Sequence, residues 1–186
     1  MLVAPGMDTR AFRLPLPSDT AVFELDEGPV LAEKQAVLDD ERAKPICRRI
    51  QVPVNLTEDS WPDTLIGAGF DISKPAIFIV EGLSWYLSEH ENAHVLDHLA
   101  DLAIMASRLG IDMVHHDYLE NLAMAPFFEL AATRGVYCKF GTNDRGVPCR
   151  SWLARRGEPV RRGGETVRSL APARNLGGRR RACCRG

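Results

Sequence analysis

Long apolar runs are missing from this chain of 186 residues. The longest, such as residues 76–80, fall far short of the roughly 20 apolar residues that a bilayer-spanning helix needs, and no charged start leads into an apolar signal core. Organised cysteine is missing too. The five cysteines, Cys47, Cys138, Cys149, Cys183 and Cys184, are odd in number and show no C-x-x-C spacing, which argues against a secreted disulfide scaffold and for reduced thiols. The chain therefore reads as soluble and cytoplasmic. A three-glycine G-x-G-x-x-G turn is also absent, so no glycine-rich cradle stands ready for a pyrophosphate.

Lysine is absent from the last 42 residues, and that absence marks a division in the chain. Residues 1–144 hold 11 Lys and Arg against 23 Asp and Glu, a balance of −12; residues 145–186 hold 12 Arg and two Glu, a balance of +10. What is present in the first part is ordinary globular material, with 45% hydrophobic and 26% charged residues over the whole chain. The length suits one domain with a sizeable core.

Residues 1–3 read as the tail of a strand running into the turn Ala4-Pro5-Gly6-Met7-Asp8, with the strand's beginning lacking. Residues 20–25 are β-branched and aromatic and end in acids, after which Pro29 opens an amphipathic helix to about Lys44. A short strand over residues 50–54 is interrupted by Pro53, and a helix over residues 61–68 follows. Residues 76–80 read as a strand covered on both faces. Ser88 and Glu91 have capping-box spacing, and Val95, Leu99, Leu102 and Ala106 then share a helical face. Residues 110–115 are the next strand. After Asn143 no helical or strand pattern continues. Alternating strands and helices predict an α/β fold with a largely parallel sheet.

In open parallel sheets, ligands sit at the carboxyl ends of the strands. The residues there are Gly6, Glu24 with Asp26, Asn55 with Leu56, and Glu81 with Gly82. An acid after the second strand suits a ribose diol, because a carboxylate offers acceptors and no donor. Taken singly, Asp26 reads equally as a solvated turn residue, and Gly6 alone decides nothing.

Taken together, four stretches do more. Residues 4–14 (APGMDTRAFRL), 22–26 (VFELD), Val54-Asn55-Leu56 with Trp61-Pro62, and 81–87 (EGLSWYL) resemble the leucine carboxyl methyltransferase family, in particular its actinobacterial S-adenosylmethionine-dependent branch. The resemblance runs from about Leu2 to Asp144. It implies a Rossmann-like class I methyltransferase sheet, here incomplete at both ends, and cofactor contacts from Gly6, Asp26, Asn55, Leu56 and Glu81. It also implies S-adenosyl-L-methionine as cofactor and a carboxylate or small-molecule acceptor. Asn55 stands where the family usually carries Asp; its amide oxygen still accepts from an adenine amino group. Gly6 lets the backbone approach the methionine end, and Glu81 can pair with the cofactor's ammonium. Trp85 and Tyr86 are candidates to line the acceptor pocket, or equally to be core. An ionised carboxylate acceptor needs no general base, so no catalytic residue is assigned.

Three readings compete. His90-Glu91-Asn92-Ala93-His94 matches H-E-x-x-H, with His98 one turn further on. A helical wheel sets these histidines opposite Val95, Leu99 and Leu102, towards solvent, and so no metal is expected. The residues His115-His116-Asp117, at a strand end, point to opposite faces. The arginine-rich segment 145–186 reads as a disordered or out-of-frame tail rather than a nucleic-acid arm, because its apolar content cannot offset the entropy of ordering it. The alternatives to an active methyltransferase are a non-catalytic truncated fragment and, behind it, a nicotinamide dehydrogenase-like domain.

Overall fold

The computed structural model describes residues 1–17 and 19–143, together with the backbone of residues 181–184. Strands β1 (Leu2–Val3), β2 (Ala21–Asp26), β3 (Arg48–Pro53), β4 (Ile77–Val80), β5 (Arg108–Asp112) and β6 (Arg181–Cys184) form one sheet in the order β3-β2-β1-β4-β5-β6. The first five are parallel, and β6 runs antiparallel to β5. β1 is central, pairing Val3 with Leu25 on one side and with Val80 on the other. The chain therefore reverses direction of travel across the sheet at β1, and loops after β1, β2 and β4 share one edge.

Helices α1 (Arg10–Arg13), α2 (Gly28–Asp40), α3 (Trp61–Gly67), α4 (Glu89–Asp101), α5 (His116–Leu119) and α6 (Ala125–Thr133) connect or flank the strands. The strand period of two divides β2 cleanly. Phe23 and Leu25 enter the main core with Trp61 and Leu65 of α3 and Val95, Leu96 and Leu99 of α4. Val22 faces the other way, into a smaller cluster with Leu2 and Ala11. On that second face Glu24 is fully buried and ion-paired with Lys34 of α2 (3.0 Å) and Arg49 of β3 (2.8 Å). Among the described residues no helix is long and apolar enough to cross a membrane.

Several boundaries differ from the sequence expectation. Helix α2 stops at Asp40 rather than near Lys44, because Arg42 adopts a left-handed φ of 52° and Lys44 precedes Pro45, which disfavours helical backbone. Pro53 does not interrupt β3. It ends that strand, opposite Asp26, on the edge of the sheet, where its missing N–H is tolerated. β4 is not covered throughout, since Ile77 is exposed. β5 begins at Arg108, two residues before the expected start, and ends at Asp112. Ala106 lies beyond α4 and is exposed, although Val95, Leu99 and Leu102 are buried as their spacing predicts. The pattern was also expected to end after Asn143, yet residues 181–184 pair along β5; a sheet edge recruits backbone donors and acceptors and asks little of side-chain periodicity. The rest of the expected tail, residues 145–180 and 185–186, lies outside the described residues.

Candidate functional site

The turn after β1 sets the site. Ala4 N–H donates to the Leu25 carbonyl (2.7 Å), after which Ala4 and Gly6 both take φ of 49°, folding the chain back over the sheet edge. Glycine is the residue that accepts this backbone without strain, and a side-chain carbon at Gly6 would meet nothing within 4 Å, so the space above it is open to a ligand. Gly6 N–H donates to Asp26 Oδ2 and Glu27 N–H to Asp26 Oδ1, both at 2.8 Å. Asp26 thus clamps two strand ends together. Each carboxylate oxygen keeps a second lone pair for an incoming hydroxyl.

Arg10, in the first turn of α1, lies between two acids. Its guanidinium donates to Glu81 Oε2, at the end of β4, and sits 3.2 Å from Asp8 Oδ2, while its backbone N–H donates to Asp8 Oδ1 at 2.6 Å. Glu81 is therefore not a carboxylate left in solvent. Gly82 follows with φ of 74°, and its N–H donates to Asp112 Oδ1 at 2.8 Å, tying the β4 turn to β5. Asp8 and Glu81 thus pair with Arg10, while Asp26 stands at the neighbouring strand end, bonded to Gly6. The arrangement is net acidic.

Beyond β2 lies a pocket of about 400 Å³, lined by Glu27, Gly28, Pro53, Asn55, Glu58 and Trp61 among others. Among the described residues no basic side chain lines it. Asn55 Oδ1 accepts from Thr57 N–H (3.1 Å) and Thr57 hydroxyl (2.8 Å), so its side chain folds the loop while lining the pocket. The Leu56 side chain packs into the main core. Trp85 and Tyr86 are half-buried with ring centroids 5.5 Å apart; Trp85 Nε1 donates to the Gly82 carbonyl at 2.8 Å. Lys139 N–H in turn donates to the Trp85 carbonyl at 2.6 Å, which folds the 139–143 segment over this turn.

The structure thus brings Gly6, Asp26 and Glu81 to neighbouring strand ends and Asn55 to the adjoining pocket. Glu24 is a correction. β2 extends to Asp26, so Glu24 is a mid-strand residue buried on the far face and takes no part in the site. Asp8, Arg10 and Glu27 were missed by the sequence reading. Asp8 and Arg10 stand inside the quoted APGMDTR stretch, where an acid and an arginine two residues apart were the available signal.

The histidines are a second correction. His90 is exposed, but His94 and His98 are half-buried, turned towards α3: the His98 ring lies edge-on to Trp61 at 5.5 Å, and Asp59 approaches both. The wheel failed here because it compares residues only within α4 and cannot see the loop packed beside it. Glu91 does form the capping box with Ser88. His115 and His116 open α5 rather than ending a strand. Burial pushes the Cys47 and Cys138 thiols up, with the charge of Glu24 adding at Cys47, so neither is poised as a nucleophile.

A family model described as leucine carboxyl methyltransferase matches residues 1–100. A protein of Mycobacterium avium (strain 104), named "Putative S-adenosyl-L-methionine-dependent methyltransferase", is 38% identical over 125 residues, covering 67% of this chain and 39% of its own length. One of the same name from Mycobacterium tuberculosis (strain ATCC 25177 / H37Ra) is 42% identical over 135 residues, covering 73% of this chain and 44% of its own. The chain thus spans well under half the length of either relative. Among solved structures, the mitomycin 7-O-methyltransferase MmcR aligns with a TM-score of 0.60 at 14% identity, over 98% of this chain and 47% of its own. Magnesium protoporphyrin IX methyltransferase from Synechocystis PCC 6803, with bound SAH, aligns at 0.54 and 13% identity, over 98% and 71%. These likenesses place the sheet among class I methyltransferase folds.

Proposed function

The chain belongs to the leucine carboxyl methyltransferase family, and from that premise we propose that it binds S-adenosyl-L-methionine and serves transfer of the methyl group to a carboxylate or another small-molecule oxygen. One observation carries the reading: Arg10 paired with Asp8 and Glu81, with Asp26 on the neighbouring strand end, along the carboxyl ends of β1, β2 and β4. Such a site is net negative, which suits a ligand carrying a sulfonium and an ammonium against one carboxylate. It would repel the two charges of a dinucleotide pyrophosphate, and the turn offers none of the glycine-rich amide cradle that such a group needs. The neighbouring pocket, with Glu27 and Glu58 and no basic lining among the described residues, fits a neutral nucleoside.

In this reading Asp26 accepts from the ribose hydroxyls, and Asn55 and the Leu56 backbone meet the adenine. Arg10 takes the cofactor's carboxylate. Glu81 and Asp8 meet the ammonium, and open space over Gly6 admits the chain between them. When bound, adenosylmethionine supplies a methyl group activated by its sulfonium charge. Trp85 and Tyr86 border the acceptor side and exclude water from it. No residue need move a proton if the acceptor is an ionised carboxylate. The odd, unpatterned cysteines, with Cys47 and Cys138 free among the described residues, support a cytoplasmic location for this activity.

Calorimetry of the purified chain with adenosylmethionine and with NAD tests the reading. Saturable binding of the first and none of the second is expected. Binding of NAD alone, or of neither by folded protein, overturns it.

A further inference from the structure

Two imidazole nitrogens converge on one carboxylate beside the nucleoside pocket. His94 and His98 stand one turn apart on α4, their rings edge-to-face at 4.4 Å. Both Nε2 atoms are shielded from solvent and have no hydrogen-bond partner. Asp59 Oδ1, from the loop before α3, lies 3.5 Å from His94 Nε2 and 3.7 Å from His98 Nε2, too far for a hydrogen bond to either. One ligating atom from each of the three residues lies within 4.8 Å of the others, and this is the one such grouping found among the described residues.

We propose that Asp59, His94 and His98 form a binding site for a divalent transition ion of the zinc type. Metal–ligand bonds of about 2.0 to 2.2 Å in a tetrahedral site put neighbouring ligand atoms roughly 3.3 Å apart, close to the 3.5 and 3.7 Å that separate Asp59 Oδ1 from the two imidazole nitrogens. Two nitrogens and one oxygen select Zn²⁺, Ni²⁺ or Co²⁺ over Mg²⁺ and Ca²⁺, which prefer all-oxygen shells. The Asp59 side chain is 93% exposed, so solvent completes the coordination. This is not the H-E-x-x-H arrangement: His90 is exposed, and Glu91 is held in the capping box, so no base stands beside the ion. The ion's effect is to fasten the loop between β3 and α3, which carries the pocket residues Asn55 and Glu58, to α4.

Trp61 reports on the site, because its ring lies 5.5 Å from that of His98. The test uses the chelator-stripped full chain with Trp85→Phe and Trp152→Phe, leaving Trp61 as its one tryptophan. Ni²⁺ is expected to quench Trp61 with one-to-one stoichiometry, Zn²⁺ to compete, and Mg²⁺ to do nothing. His94→Asn and His98→Asn should each raise the midpoint at least tenfold, and Asp59→Asn several-fold, whereas His90→Ala should leave it unchanged. Zn²⁺ should raise the melting temperature of the parent by more than that of Asp59→Asn, an exposed substitution that leaves the fold intact even if a histidine variant fails to fold. Absence of quenching, equal quenching in the Asp59 variant, or loss of it in His90→Ala would overturn the site.

Discussion

Asp26 holds the protein and, in the proposed reading, the ligand with the same carboxylate. Replacing it by Asn leaves one acceptor oxygen and sets an NH₂ group against either Gly6 N–H or Glu27 N–H. Hydrogen bonds to a charged group contribute about 1.5 to 3 kcal/mol each. Asp26→Asn should therefore lower stability in urea denaturation by about that amount and weaken adenosylmethionine binding at least tenfold in calorimetry. Arg10 separates the two effects. It pairs with Asp8 and Glu81 and not with Asp26, so Arg10→Met should weaken binding of adenosylmethionine through loss of its carboxylate partner, while Asp26 still clamps the β1 and β2 turns. A variant that melts normally and binds as tightly as the parent would remove Arg10 from the site.

At the scale of elements, helix α4 and the β2–α2–β3 layer each depend on a charge held by specific neighbours. Ser88 hydroxyl accepts from Glu91 N–H (3.2 Å), and Glu91 Oε2 accepts from Ser88 N–H (2.6 Å), so two of the unpaired donors at the start of the helix are satisfied reciprocally. Ser88→Ala should cost about 1 kcal/mol in denaturant unfolding. The bond from Ser88 backbone N–H, then that from its hydroxyl, holds the Glu91 carboxyl below its ordinary value of 4.5. A depressed carboxyl stabilises the fold above its unfolded pKa, and that contribution fades as pH falls below about 4.5 through the folded value. Glu91→Gln should therefore flatten the loss of melting temperature below that pH. In the β2–α2–β3 layer the stakes are larger. Arg49 donates to Glu24 and to Gln35, and its guanidinium lies 5.2 Å over the Phe12 ring. Glu24→Gln would strand Lys34 and Arg49 as buried cations, and breaking such a pair costs about 3 to 5 kcal/mol. Against a net stability of about 5 to 15 kcal/mol, denaturant midpoints should fall sharply, whereas Glu33→Gln, on the exposed face of α2, should leave them unchanged.

Over the whole molecule, the sheet order converts separated motifs into one site. Gly6, Asp26 and Glu81 lie far apart in sequence, but β2, β1 and β4 are neighbours and parallel, so their carboxyl ends meet at one edge. Ligand binding there should protect backbone amides at residues 4–8, 26–28 and 81–82 from hydrogen exchange. It should leave the amides of Arg108 and Leu109 unaffected, since they begin β5 at the opposite, amino-terminal edge of the parallel strands. Protection confined to that opposite edge would place the ligand elsewhere.

The sequence by itself determined the elements whose signals are local. The apolar runs of β2 and β4, proline at the start of α2, the Ser88–Glu91 capping box and the acids and glycines that end strands all follow from interactions within a few residues. The family resemblance then implied a parallel sheet, and Gly6, Asp26, Asn55 and Glu81 stand at or just after the ends of its strands. Tertiary structure decided what depends on partners distant in the chain. It buried Glu24 because Lys34 and Arg49 came to meet it, and it turned Glu81 onto Arg10. It carried β3 through Pro53 because an edge strand can spare one donor, and it drew His94 and His98 to Asp59 because the loop before α3 packs against α4. A periodicity records which side of its own helix or strand a residue occupies. It holds no information about the charge waiting on the element that packs there.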